Sequence, residues 1–221
     1  MILHGDCLEL MNDIPDGGVD MILCDLPYGT TQNKWDSIIP FDKLWEQYER
    51  IIKPNGAIVL TAQTPFDKVL GSSKLQLLKY EWIWQKEKGT GHLNANKMPM
   101  KDHENILIFY NKPPIYNPQF ELSTPYKRLN GSKSSLNKGC YGITNESHNT
   151  INDGKRFPKT ILKFASDSQR FGSLHPTQKP VALFEYLIKT YTNEGDTVLD
   201  NCAGSFTTAI ASLNTNRNFI C

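Results

Sequence analysis

Residues 19–28 read VDMILCDLPY, and residues 197–205 read TVLDNCAGS. Each begins as a short aliphatic run, ends on an aspartate and passes at once into a turn. Runs of that length bounded by turn residues read as buried strands, so Asp25 and Asp200 each stand where a strand gives way to a loop. Around them strands and helices alternate. Residues 41–53 set Phe41, Leu44, Trp45, Tyr48, Ile51 and Ile52 at helical spacing, and Pro54-Asn55-Gly56 is expected to stop that helix. AIVLT (57–61) is the next strand, and Thr64 before Pro65 opens a further helix. YEWIWQ (80–85) and NILIFY (105–110) are two strands around a polar, glycine-containing loop. After Pro180 come a helix (VALFEYLIKTY), a turn at Asn193-Glu194-Gly195, the strand 197–199, a tight loop, a helix and a strand beginning at Asn218. This alternation predicts an α/β fold with a mainly parallel sheet. In such sheets ligands bind at the carboxyl ends of strands, so the two aspartate loops are expected to face one crevice.

The chain has 221 residues, 39% apolar and 21% charged, a composition that supports one globular domain with an insertion. No run reaches the ~18 apolar residues of a membrane span, and MILHGDCLEL lacks the basic head and apolar stretch of a secretory signal. Five cysteines without a CxxC pair point to a reduced, cytoplasmic protein without structural zinc. The net charge of +1 hides an asymmetry. Of 24 Lys and Arg and 23 Asp and Glu, 11 basic and only 4 acidic residues lie between Lys112 and Lys179. The segment 111–172 also holds five prolines and no long period, and reads as a basic, irregular insertion facing a polyanion. A single histidine at 175 without clustered Cys or His makes no metal site. Neither a Walker-type loop nor a dinucleotide GxGxxG is present. Trp82, Trp84 and Phe109 read as core.

Four pieces in order carry a resemblance: Gly5-Asp6, Asp25-Leu26-Pro27-Tyr28, His175-Pro176-Thr177-Gln178-Lys179-Pro180, and Asp200-Asn201-Cys202-Ala203-Gly204-Ser205. Together they resemble the amino-group DNA methyltransferases, which methylate adenine N6 or cytosine N4 from S-adenosyl-L-methionine. A catalytic motif upstream of the cofactor loop, with a target-recognition insertion between, resembles the β-type arrangement. The resemblance implies a Rossmann-like class I methyltransferase fold with circularly permuted motif order. It further implies a catalytic half at 1–110, a target-recognition insertion at 111–172 and a cofactor-binding half at 173–221.

The chemistry fits those residues. An exocyclic amine on a base is a poor nucleophile because its lone pair is delocalised into the ring. Acceptors for its two hydrogens push the nitrogen toward a nucleophilic state. Asp25 supplies a carboxylate and Leu26 a carbonyl, Pro27 fixes the turn, and Tyr28 offers a face for a base rotated out of the duplex. The family usually has proline at position 26, which a carbonyl acceptor does not require. Aspartate as first residue resembles the adenine-specific members; serine is common in N4-cytosine ones.

By resemblance, Asp200, Asn201, Cys202, Ala203, Gly204, Ser205 and Thr207 line the methionine part of the cofactor. Gly204 permits close backbone approach, and the helix near Thr207 turns free N–H groups to a carboxylate. Asp6 either accepts from the cofactor adenine or caps the short helix after it. Lys179 pairs with a cofactor carboxylate or a neighbouring Asp; alternatively Thr177 caps the next helix and His175 is merely packed. His103-Glu104 and Trp84 with Lys86 are expected to shape the base pocket rather than act chemically. Lys127, Arg128, Lys133, Lys155, Arg156 and Arg170 are candidate contacts to double-stranded DNA. Whether a restriction nuclease partners the chain stays open.

Two departures from the pattern set a second reading beside the first. Phe206 replaces a glycine of the cofactor loop, and is expected either to swing away or to fill part of the site. The sequence ends at Cys221, in a strand that in the family leads to an acidic residue for the cofactor ribose. That leaves open a longer polypeptide or a completing subunit, with the strand edge uncovered. The second reading is therefore a methyltransferase-like module that engages DNA or protein without the cofactor; cytosine or RNA as substrate is also open.

Overall fold

The computed structural model describes residues 1–33, 36–128, 150–166 and 178–221, with the backbone alone at Arg128 and Thr150. Its strands are β1 (Val19–Cys24), β2 (Ile52–Ala62), β3 (Leu78–Thr90), β4 (Lys101–Phe109), β5 (Glu121–Leu122), β6 (Tyr126–Arg128), β7 (Thr150–Asn152), β8 (Lys155–Arg156), β9 (Ile161–Lys163), β10 (Thr197–Leu199) and β11 (Asn218–Ile220). The α-helices are α1 (Cys7–Leu10), α2 (Phe41–Ile51), α3 (Phe66–Ser73), α4 (Val181–Tyr191) and α5 (Thr207–Asn214).

Seven strands form one sheet in the order β11-β10-β1-β2-β4-β3-β9. From β11 to β2 all neighbours are parallel, while β4 runs antiparallel to both β2 and β3. The last strand, β9, is parallel to β3. The sheet explains the continuous apolar run of β1, which is covered on both faces. Ile22 and Cys24 join one buried cluster with Leu44, Trp45 and Tyr48 of α2 and Phe66 of α3. Met21 and Leu23 point the other way, into a cluster with Leu183, Phe184, Leu187 and Ile188 of α4. Trp82, Trp84 and Phe109 are buried, as core residues should be.

Three local features differ from the sequence-based expectation. Pro54-Asn55-Gly56 does not merely end α2. The pairing passes from Val19 opposite Ile52 to Met21 opposite Ala57, so the tripeptide is looped out as an irregularity within β2. Gly56 is required there, because a Cβ would lie 2.6 Å from Ile52 Cγ1 and 2.8 Å from the Asp20 carbonyl. The free edge expected at β11 is instead paired. Its backbone exchanges hydrogen bonds with residues 1–3: the Met1 ammonium to the Phe219 carbonyl at 2.6 Å, the Cys221 amide to Met1 at 3.0 Å and the Leu3 amide to Cys221 at 2.7 Å. Third, residues 159–166 supply β9 to the sheet and dock Phe164 against Tyr186 and Trp84. Among the described residues no helix is long and apolar enough to cross a membrane.

The chain divides into two compact units, 1–117 with 159–221, and 118–158. Within the second, β5 pairs antiparallel with β8 and β6 with β7. Phe120 and Phe157 pack ring to ring at 5.0 Å. Arg156 lies 4.9 Å from the Tyr126 ring centroid, donates to the Thr124 carbonyl at 2.8 Å and hydrogen-bonds Asn152.

Candidate active site

Because β10, β1 and β2 are parallel neighbours, the loops after Leu199 and Cys24 and the last residues of β2 emerge side by side. The antiparallel β4 enters the sheet at that same end, with Asn105 opposite Ala62 and Glu104 opposite Trp84. Four elements thus bring Asp25, Thr61, Glu104 and Lys86 to one end of the sheet, and Lys179, in the turn before α4, joins them.

Asp25 is surrounded by donors. Lys179 Nζ lies 2.6 Å from Oδ2, the Tyr28 hydroxyl donates to Oδ1 at 2.8 Å, and the Thr61 hydroxyl donates to the same oxygen. The carboxylate is still about one quarter exposed (25%), so a ligand has access to it. No donor among the described residues claims the Leu26 carbonyl, although the Leu26 side chain is buried. Pro27 is half-buried in the turn. The Tyr28 ring stacks on Phe66 at 5.0 Å and 24°, and Lys179 Nζ stands 5.6 Å from its centroid. One partner of that ring is therefore already protein. Burial, with the charges of Asp25 and Glu104, holds the Tyr28 hydroxyl well above the usual tyrosine range, so it remains a donor.

Lys179 takes the neighbouring Asp, the second of its two expected partners. Burial works to lower its pKa, but the carboxylates of Asp25 and Glu104 outweigh that and hold the ammonium above the ordinary lysine range. Glu104 is buried at 6% exposure, with Oε1 2.5 Å from Lys86 Nζ and Oε2 3.3 Å from Lys179 Nζ. Beyond the expected shaping of a pocket, Glu104 and Lys86 are charged partners of this cluster. A charge at the head of the run ENILIF was the signal in the sequence. Thr61 carried no such signal, since a threonine ending a strand is ordinary. His103 is exposed against Asp102 and faces none of these groups.

The second loop is built differently. Asp200 is buried; its Oδ1 accepts from the Cys202 amide at 3.0 Å and its Oδ2 from the Thr208 hydroxyl at 2.5 Å. Both oxygens are spent on the loop and on α5, so Asp200 braces the site from beneath. Burial pushes its carboxyl up to about 6. Asn201 accepts from the Tyr48 hydroxyl at 2.6 Å, and the Ser205 and Thr207 hydroxyls lie 3.1 Å apart. Thr207 also donates weakly to the Lys179 carbonyl at 3.4 Å, which ties the two halves of the site. The Cys202 thiol is raised by its hydrogen bond with Cys24, itself pushed to about 12 by burial. Neither thiol is a nucleophile at neutral pH. Asp6 caps α1 by accepting the Leu8 amide at 2.8 Å. It lines an open cleft of about 370 Å³ with Glu9, Asn12, Lys43, Glu46 and Gln47, which no residue of the Asp25 loop lines.

Phe206 is the N-cap of α5 and adopts φ 59°, the left-handed conformation that a glycine there would supply. The backbone thus keeps the turn, as does Gly204 at φ 50°. The first turn of α5 has no side-chain cap, so its N–H groups remain suited to a carboxylate. These residues fit the methionine portion of S-adenosyl-L-methionine.

Of the basic candidates, Lys127 and Lys155 are exposed, the latter 3.6 Å from Asp153. Arg156 is turned inward onto Asn152, Thr124 and Tyr126, which occupies the guanidinium within its own unit. Arg128 is placed by its backbone in β6. Lys133, Arg170, His175, Pro176 and Thr177 lie outside the described residues.

The chain is similar to known proteins. A family model described as DNA methylase matches residues 19–221. The chain is 27% identical over 231 residues to the DNA adenine methyltransferase YhdJ of Escherichia coli, covering 99% of this chain and 76% of that one. It is 28% identical over 255 residues to the type II methyltransferase M.BglII of Bacillus subtilis, covering 99% and 63% respectively, so it spans under two thirds of that relative. Among solved structures, M1.HpyAVI in complex with SAM superposes with a TM-score of 0.64 at 24% identity, covering 100% of this chain and 91% of that one. That last likeness is one of fold. The match over nearly the whole chain, on a fold that sets the Asp25 and Asp200 loops side by side, makes this protein a member of the N6/N4 DNA methylase family.

Proposed function

We propose that this chain transfers a methyl group from S-adenosyl-L-methionine to adenine N6 in double-stranded DNA, acting on a base rotated out of the helix. The observation that carries the reading is Asp25: an accessible carboxylate at the end of β1, paired with the Lys179 ammonium and fixed by hydrogen bonds from Thr61 and Tyr28. The Asp200–Thr207 loop would hold the cofactor, which would supply an electrophilic methyl group on a sulfonium for the amine lone pair. The chain's own part is to prepare the amine. Asp25 and the Leu26 carbonyl accept its two hydrogens, which draws the lone pair out of the ring system and lets one proton leave after transfer. Tyr28 orients the base, worth roughly 1–3 kcal/mol for a stacked ring. Lys127 and Lys155, exposed on the basic unit, support contact with phosphates.

Aspartate at position 25 favours adenine over cytosine, and the name of the Escherichia coli relative agrees with it. A second reading, a scaffold that does not hold the cofactor, keeps its motive in Phe206, a bulky residue at the head of α5. The test is direct: the chain is incubated with S-adenosyl-L-methionine and mixed-sequence duplex DNA, and the DNA is digested to nucleosides for mass analysis. N6-methyladenine is expected. N4-methylcytosine would correct the base, and cofactor binding without any methylated nucleoside would overturn the reading.

A further inference from the structure

Lys179 stands between two carboxylates. Its Nζ is 2.6 Å from Asp25 Oδ2 and 3.3 Å from Glu104 Oε2. That Glu104 oxygen is buried and makes no hydrogen bond, while the other is held 2.5 Å from Lys86 Nζ. A buried acceptor left without a hydrogen bond is costly and rare, and here it lies within reach of an ammonium engaged elsewhere.

The present seat of that ammonium conflicts with the reaction. Asp25 Oδ1 already takes the Thr61 and Tyr28 hydroxyls, and Lys179 occupies Oδ2. A target amine that donates to Asp25 must compete for one of these positions. Lys179 also stands over the Tyr28 ring at 5.6 Å, where a base would stack. The amine nitrogen becomes cationic as the new bond forms, so an ammonium beside Asp25 repels the charge that transfer creates. Moving Lys179 onto Glu104 removes all three obstacles without leaving the ammonium unpaired, because the buried Glu104 carboxylate takes the place of Asp25.

Resting on the methyltransferase reading, we propose that Glu104 is a positioning residue that draws Lys179 off Asp25 as the target base enters. Lys86, 2.5 Å from the other Glu104 oxygen, keeps that side chain fixed for the exchange. Glu104 touches neither base nor cofactor; it acts through Lys179.

The experiment is a double-mutant cycle with Glu104→Gln and Lys179→Met, read by single-turnover methyl transfer on duplex DNA and by calorimetric titration of S-adenosyl-L-methionine and of DNA. Glu104→Gln is expected to slow transfer by about 10- to 100-fold and to leave both affinities within about twofold. In the Lys179→Met background, Glu104→Gln is expected to change nothing further, because the ammonium it receives is gone. Glu104→Asp, which keeps the charge and carries the test should the glutamine variant not fold, is expected to restore part of the rate. Equal losses from Glu104→Gln in both backgrounds, or a wild-type rate in Glu104→Gln, would overturn the proposal. A wild-type chain that binds cofactor and DNA but transfers no methyl group would instead remove the methyltransferase reading on which it rests.

Discussion

Asp25 and Asp200 end neighbouring parallel strands, yet their surroundings are opposite. Asp25 is a quarter exposed and has an ammonium at 2.6 Å. Asp200 is 3% exposed, and its partners are an amide and a hydroxyl with no cation. The first carboxylate is therefore paired with a cation and still reachable, as the proposed handling of protons requires. The second is sealed and braces the backbone of its loop, and burial raises its carboxyl to about 6. On the proposed reading, one strand-end aspartate serves chemistry and the other architecture. A motif alone does not say which is which; the partners do.

Breaking the chemical side should have the largest effect. Asp25→Asn keeps the shape but removes the charge and one acceptor. It is expected to lower methyl transfer by about 1,000-fold, within the range for a positioned acid–base group, with the fold intact by thermal melting. Near-normal transfer would move the centre away from this loop.

The architectural side is sharpened by pH. The folded-state pKa of Asp200 is raised, so the folded chain binds an extra proton between about pH 4 and pH 6. Stability contributed by that proton is present at the acid end of the window and lost as pH rises through about 6. Two units correspond to about 3 kcal/mol. Asp200→Asn is expected to remove that slope in denaturant titrations across the window. The same slope in both proteins would show that Asp200 is not the buried carboxyl described.

Smaller effects separate the two loops further. Thr61→Val deletes one hydroxyl on Asp25 and should slow transfer by about tenfold, the equivalent of one hydrogen bond, without changing cofactor affinity. A weakened cofactor affinity would place Thr61 with the other loop. Phe206→Gly relieves a left-handed non-glycine residue, which costs about 1–2 kcal/mol. The greater freedom of glycine when unfolded offsets part of this, so a gain of about 1 kcal/mol is expected. Calorimetry should find S-adenosyl-L-methionine affinity within about threefold of the unmodified chain. Binding seen only in the glycine variant would mean that the ring obstructs the site after all.

Much of this was legible in the residues themselves. The apolar run of 19–24 announced a strand buried on both faces, and VALFEYLIKTY is helical over its whole length, Val181–Tyr191. Asp25 and Tyr28 could be singled out together because they share one short loop, and the structure joins them by a hydrogen bond. What depends on pairing was not. Glu104 reaches Asp25's lysine only because β4 is antiparallel and starts where β1 and β2 end. The choice of Lys179 between a cofactor carboxylate and Asp25, and the pairing of residues 1–3 with β11, likewise depend on contacts made over 150 positions or more along the chain. Periodicity carries no trace of such contacts. Phe206 could be flagged as bulky, but only its φ of 59° shows that its backbone takes the turn a glycine would.

The most direct measurement compares the wild-type chain with Asp25→Asn, each given methyl-labelled S-adenosyl-L-methionine and duplex DNA, by nucleoside mass analysis. Labelled N6-methyladenine from the wild type and almost none from the variant is the predicted result. Equal labelling from both, or none from a wild-type chain that binds the cofactor, would contradict the account.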